Sequence, residues 1–322
     1  MKNEFEKDEK RGSFIKDNLT HIIFIGVAVI IVIAIVVMVT KWNKGELSDY
    51  DPSEDTSEFD IETNDYIQPL SSTDLAGKEN DGELTILTLG NSPFADGGDG
   101  NNLAEAIADE YGANVINGGI SGSYMAAESS DYSGSLDGIS LSAIAGALST
   151  GDFSTVLACA KTSSDETKMI VDKLSGVDMT KVDGIVIMYD LQDYISHRPA
   201  VNGVDSYDVT SSAGALNTSL KSLRSAYPYI RIVVMSTPAC GQTIDGFYID
   251  GESLDMGSGT LTDYMGHQIS ATATQGASFV DVYYGAITLD NRDDYLYDDY
   301  HINDEGAAVI ASRLHKLVDF QD

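Results

Sequence analysis

The chain has 322 residues, 43% of them hydrophobic, which is enough to bury a core and rules out global disorder. Nineteen Lys+Arg against 51 Asp+Glu set the formal net charge at −32, so the basic face that nucleic-acid phosphates require cannot be assembled. The two cysteines, Cys159 and Cys240, are too few for a disulfide framework or a four-cysteine zinc site.

The first element is apolar. Residues 22–39 read IIFIGVAVIIVIAIVVMV, eighteen positions without a charge or a hydrogen-bonding side chain. At 1.5 Å per residue this is roughly 27 Å of helix, close to the thickness of a bilayer's hydrocarbon core. A cleavable signal peptide would have a shorter apolar stretch followed by small residues, whereas this one runs into Thr40-Lys41-Trp42-Asn43-Lys44. The expectation is a transmembrane helix over 21–41. Lys2, Lys7, Lys10, Arg11 and Lys16 precede it and only Lys41 and Lys44 closely follow, so residues 1–20 are expected in the cytoplasm and the rest outside the cell. Membrane is thus the first partner implied, and single-pass attachment to the cell membrane the expected location.

Residues 42–80 read as an acidic extracellular linker. From 45 to 80 there are eleven acidic residues and one lysine, with neither helical nor strand periodicity. Its later part, Tyr66-Ile67-Gln68-Pro69-Leu70, is apolar enough to lie on a domain surface.

Residues 81–322 alternate. Short, almost wholly apolar runs at 84–89, 114–116, 184–189, 230–235 and 279–283 predict five strands, and amphipathic stretches at 103–111, 167–174, 213–226, 261–274 and 305–318 predict helices between them. Strands of this kind separated by helices point to a parallel sheet covered on both faces. In that architecture ligands bind where strands end, so the residues after each strand carry the chemistry.

Four junctions are informative. After the first strand, Leu89-Gly90-Asn91-Ser92-Pro93 sets a serine on a tight turn, although most Gly-x-Ser tripeptides are plain turns. After the second, Asn117-Gly118-Gly119-Ile120-Ser121-Gly122-Ser123 offers backbone N–H groups that could face an anion. The third strand ends Met188-Tyr189-Asp190-Leu191-Gln192-Asp193-Tyr194 and delivers an amide side chain. Near the C-terminus Asp298-Asp299-Tyr300-His301 precedes the last helix, and a carboxylate three residues ahead of a histidine can orient a ring that accepts a hydroxyl proton.

In order and spacing these four blocks resemble those of the SGNH, or GDSL-like, hydrolases over about residues 83–319. The resemblance implies a flavodoxin-like three-layer α/β/α domain that hydrolyses esters without a cofactor or metal. It implies Ser92 as nucleophile, Asp298 and His301 as its partners, and an oxyanion hole from the Ser92 and Gly122 N–H groups with the Gln192 amide. Two positions depart from the family pattern. Asn91 stands where aspartate is usual, and at the third block Asp190 replaces glycine and Gln192 replaces asparagine. The expected function is a membrane-anchored extracellular serine esterase acting on acyl esters of cell-envelope carbohydrate, O-acetyl groups first. The alternatives are a non-catalytic glycan-binding protein of the same fold and an O-acyltransferase using the same serine.

The remaining candidates read as structural. His21 abuts the apolar span, His267 and His315 fall within helices, and His197 follows the third strand, where it could line the site. The run from Asp96 through Asp99 to Asn101 lacks the spacing and closing glutamate of a calcium loop and reads as a surface loop with a helix cap. Cys159 and Cys240 read as two small buried residues, with a single bridge as the other possibility.

Overall fold

The computed structural model describes residues 63–75, 77–78, 81–95 and 102–321. The expected transmembrane segment and its flank lie outside these residues, as does the surface loop expected at 96–101. Among the described residues no helix is long and apolar enough to cross a membrane.

Seven strands form among the described residues: β1 (Thr85–Gly90), β2 (Asn114–Gly119), β3 (Gly184–Met188), β4 (Arg231–Met235), β5 (Gly241–Ile244), β6 (Phe247–Asp250) and β7 (Ser278–Val280). Five of them pair in parallel, in the order β2-β1-β3-β4-β7. This is the flavodoxin-like arrangement, with the reversal of winding at β1 and β3. Residues of both parities in the central strands are buried; Ile86, Leu87, Ile185, Val186, Ile187, Ile232, Val233 and Val234 are at most 1% exposed. A strand buried on both faces needs no polar alternation, which is why the apolar runs could be read as strands.

The longer helices are α1 (Leu103–Tyr111), α2 (Leu141–Thr150), α3 (Ser154–Ala160), α4 (Asp165–Ser175), α5 (Ser212–Ala226), α6 (Leu261–Thr274) and α7 (Asp304–Leu317). Packing separates α1 with α7 from α5 with α2 and α6, so helices cover the sheet in two groups. Side-chain caps fix several starts: Asn102 accepts from Ala104 and Glu105 at 3.0 and 3.2 Å, Thr260 and Asp263 form a capping box, and Asn303 accepts from Gly306 at 2.9 Å.

Three features differ from expectation. The last sheet strand ends at Val280 and not at residue 283, because Asp281 caps a helical turn, Val282–Gly285, and Ser236 Oγ accepts from the N–H groups of Val282 and Tyr283 at 2.9 and 3.1 Å. Helices α2 and α3 were not anticipated; α2 is buried nearly all round and so lacks a polar stripe. Strands β5 and β6 form an antiparallel hairpin whose turn, Asp245-Gly246, has positive φ at both positions, the conformation that this dipeptide favours.

The apolar end of the acidic linker does lie on the domain, as an added edge. Tyr66 pairs antiparallel with Phe279 of β7 through hydrogen bonds of 2.9 and 2.7 Å, and Gln68 N–H donates to Ser278 Oγ at 3.0 Å. The free edge of β7 is thereby covered. Arg313 of α7 locks this strap: it pairs with Asp65 and donates to the carbonyls of Asp281 and Gly285 at 3.0 and 2.9 Å. Arg313→Ala is therefore expected to lower stability by about 2–4 kcal/mol, since it strips partners from a carboxylate and two carbonyls at once. Chemical denaturation should show that loss, together with faster proteolysis around residues 63–70; unchanged proteolysis would mean that the Tyr66 pairing suffices alone.

Candidate active site

Strand β1 ends at Gly90, where a Cβ would stand 1.9 Å from the Met188 carbonyl oxygen. Only glycine lets β1 close on β3 here. The Asn91 carbonyl then accepts from the N–H groups of Phe94 and Ala95, both at 3.0 Å, closing the turn Ser92–Ala95. Ser92 opens that turn at the carboxyl edge of the sheet and is 5% exposed.

The neighbouring junctions are tied to it by side chains. Asn91 Nδ2 donates to Ser123 O at 3.1 Å, beyond β2, and to Asp190 Oδ1 at 2.7 Å, beyond β3. In return Asn91 Oδ1 accepts from the Asp190 N–H at 2.9 Å. Asp190 Oδ1 also accepts from the Gln192 N–H at 2.8 Å, and Asp190 Oδ2 is hydrogen-bonded to Ser92 Oγ. Burial drives the Asp190 carboxyl above the ordinary aspartate range, against the pull of these donors and of the His301 charge. Gly122 lies in the turn after β2 at φ +67 with open space where a side chain would be.

Asp193 braces the same edge from beneath. Its carboxylate accepts from the N–H groups of Met125 and Ala126 at 2.8 and 2.9 Å, fixing the loop that follows Gly122. Burial pushes its pKa up to about 6, partly offset by those two N–H groups and by Arg198.

The fourth junction supplies the histidine. Asp298 Oδ2 lies 2.6 Å from His301 Nδ1, while Asp298 Oδ1 accepts from the N–H groups of Tyr300 and His301 at 3.0 and 2.8 Å. Partial burial alone would raise the Asp298 pKa, but these hydrogen bonds and the imidazole hold it below its ordinary value. The adjacent Asp299 is engaged elsewhere: it accepts from Thr243 N and Oγ1 at 2.6 and 3.0 Å. Tyr297 stacks on the imidazole with centroids 5.4 Å apart and planes at 7°.

Of the residues singled out from sequence, Asp298 and His301 are in direct contact, and Ser92 is bonded to Asp190, whose carboxyl feels the His301 charge. Gln192 Nε2 donates to Ser196 Oγ at 3.2 Å. His197 Nδ1 is bonded to the Met256 carbonyl at 2.6 Å, and His267 and His315 lie on α6 and α7 as expected. Both cysteines are free; Cys240 is buried and its thiol pushed up to about 12 by that burial, which makes it chemically quiet. Among the described residues no three His, Cys, Asp or Glu side chains group as a metal site. Sequence reading missed the contact of Asp190 with Ser92 and the bracing by Asp193. The available signal was two aspartates at the end of a strand whose preceding residues are all apolar.

No family model matches the chain, and no curated protein matches it. Solved structures share its fold. A protein from Lactobacillus plantarum is 20% identical with a TM-score of 0.50, covering 73% of this chain and 95% of its own. A second solved structure is 19% identical with a TM-score of 0.52, covering 74% of this chain and 98% of its own. A possible lipase from Chitinophaga pinensis is 15% identical with a TM-score of 0.49, covering 73% and 97%. At these identities the likeness is one of fold.

Because the Asp193 pKa rises from 3.8 to about 6 on folding, the folded chain keeps a proton across that window that the unfolded chain has lost. This contribution to stability is complete below the unfolded value and disappears as pH rises to about 6. Asp193→Asn cannot titrate there, and its amide nitrogen cannot accept from Met125 or Ala126. Urea unfolding should find the variant less stable throughout, with a deficit that shrinks as pH is raised across the window; a deficit independent of pH would contradict the burial of an ionisable Asp193.

Proposed function

We propose that the chain is a serine esterase. The observation that carries this reading is the Asp298–His301 pair, 2.6 Å apart, whose imidazole charge acts on Asp190, the hydrogen-bond partner of Ser92. Ser92 Oγ attacks an ester carbonyl; His301 takes its proton and passes it to the leaving alcohol. Asp298 holds the ring through Nδ1 and stabilises the imidazolium. The N–H groups of Ser92 and Gly122 stabilise the oxyanion, and water then releases the acyl group. Positioning of these groups before substrate arrives is what makes the proton transfer fast.

Substrate and location form a second part of the reading. The apolar segment 22–39 and the basic excess before it support a single membrane span with the domain outside, facing acylated envelope carbohydrate, O-acetyl esters first. The heavy acidic excess beyond the span suits a neutral acyl sugar better than a polyanion.

Purified full-length chain given p-nitrophenyl acetate should turn over and should be labelled at Ser92 by a fluorophosphonate. No turnover and no labelling at any pH would favour the glycan-binding alternative, and acyl transfer to a sugar outpacing hydrolysis would favour the transferase. Asp298→Asn should lower kcat by about 10⁴-fold, the scale known for loss of a triad carboxylate. Asp299→Asn should lower it far less, because Asp299 serves the hairpin; equal losses would refute the assignment.

The topology has its own test. Protease added to intact cells is expected to remove the domain and leave a short membrane-bound stub; a domain digested only after lysis would sink it.

A further inference from the structure

The side chain that meets Ser92 is an acid, and its two oxygens are differently engaged. Asp190 Oδ1 accepts from Asn91 Nδ2 at 2.7 Å and from the Gln192 N–H at 2.8 Å, which occupies its lone pairs. Asp190 Oδ2 is bonded to Ser92 Oγ. The Gln192 amide expected in this role is turned to Ser196 Oγ, whose hydroxyl continues to Tyr124 Oη at 3.3 Å.

An ionised Asp190 would oppose acyl transfer twice. It would draw the Ser92 proton away from His301, and it would stand beside an oxygen that becomes negative as the carbonyl is attacked. A neutral acid reverses both effects. With the proton on Oδ2, the acid donates to Ser92 Oγ and leaves the serine hydrogen for His301.

We propose that Asp190 acts as a protonated carboxylic acid whose Oδ2–H is the third hydrogen-bond donor to the oxyanion, the place an amide was expected to take. The proposal rests on the esterase reading above. As Ser92 Oγ bonds to the acyl carbon, the carbonyl π pair moves onto oxygen and the serine proton goes to His301. The Asp190 hydrogen swings from Oγ to the new oxyanion and stays on Asp190 throughout, so that when the intermediate collapses the leaving alcohol takes its proton from His301.

The surroundings favour the neutral form. Burial is the largest influence on Asp190 and displaces it upward, and the other acid of this turn, Asp193, is likewise displaced upward by burial. His301, from the loop before α7, pulls the other way, but it is paired with the Asp298 carboxylate. Tyr189 at the end of β3 and Cys240 beyond β4 are both held neutral by burial, and Asn91 and Ser92 carry no charge.

Asp190→Asn provides the test. Its amide keeps Oδ1 as acceptor and offers Nδ2–H where the acid offers Oδ2–H, and it cannot ionise. Asp190→Asn should retain turnover within about tenfold of the parent and lose the alkaline fall of kcat/KM that ionisation of Asp190 imposes. Asp190→Ala should lower kcat by about 10²-fold with KM little changed, a larger loss than Gln192→Ala causes. Independently of activity, the infrared difference between wild type and Asp190→Asn should contain a protonated-carboxyl band at a pH where exposed aspartates are wholly ionised. The proposal is overturned if that band is absent, or if Asp190→Asn folds and is labelled at Ser92 by phosphonate but does not turn over. A wild-type chain that shows the band yet neither labels nor turns over would overturn the esterase reading and, with it, the oxyanion role of Asp190.

Discussion

The carboxyl edge of the sheet depends on one reciprocal clasp, in which the Asn91 amide and the Asp190 peptide and carboxyl exchange hydrogen bonds of 2.7 and 2.9 Å across the ends of β1 and β3. The same amide reaches the Ser123 carbonyl beyond β2. Three junctions are thus tied by one buried side chain. The clasp also determines what can occupy each position. An aspartate at 91 would set a second carboxylate against Asp190 at that separation, where two ionised groups cannot coexist without one taking up a proton. Asparagine at 91 and aspartate at 190 therefore belong together: relative to the pattern that the sequence resembles, the carboxyl has moved from one strand end to the other.

The rest of the edge follows the same logic of paired donors and acceptors. Asp193 satisfies two N–H groups of the loop after β2, and Asp137 gathers the N–H groups of Glu128, Ser129 and Gly134 in the segment leading to α2. Loops that cross a sheet edge carry unpaired N–H groups, and a buried carboxylate can satisfy two or three at once. Part of the acidity of the described residues is therefore structural and sits inside.

Much of this was legible in sequence, and the rest was hidden for physical reasons. Apolar β-branched runs located the five parallel strands because a strand covered on both faces has no alternation to confuse with a helix. Helix ends marked by caps, as at Asn102 and Thr260, were placed closely. Helix α2 escaped because burial all round removes the polar stripe that reveals a helix. The Asp245-Gly246 turn was visible in principle, but its flanking strands are too short to declare themselves. Asp298 and His301 could be paired from spacing, since only two residues separate them. Asp190 and Ser92 are 98 positions apart, and no spacing rule reports which side chain crosses from one strand end to another.

The loop that carries the histidine is tied at several points. His301 is held at its ring by Asp298, at its carbonyl by Tyr297 N–H at 3.0 Å, and two residues later by the Asn303 cap of α7. Between these points Asp299 anchors Thr243 of the hairpin, and Arg292 lies 3.5 Å from the ring centroid of Tyr248 on the same hairpin. Two adjacent aspartates thus have separate duties: one orients the imidazole and the other fastens the loop that carries it to a neighbouring element. A loop tied at this many points loses its conformational entropy on folding, and the imidazole that it carries is thereby oriented in the folded chain itself.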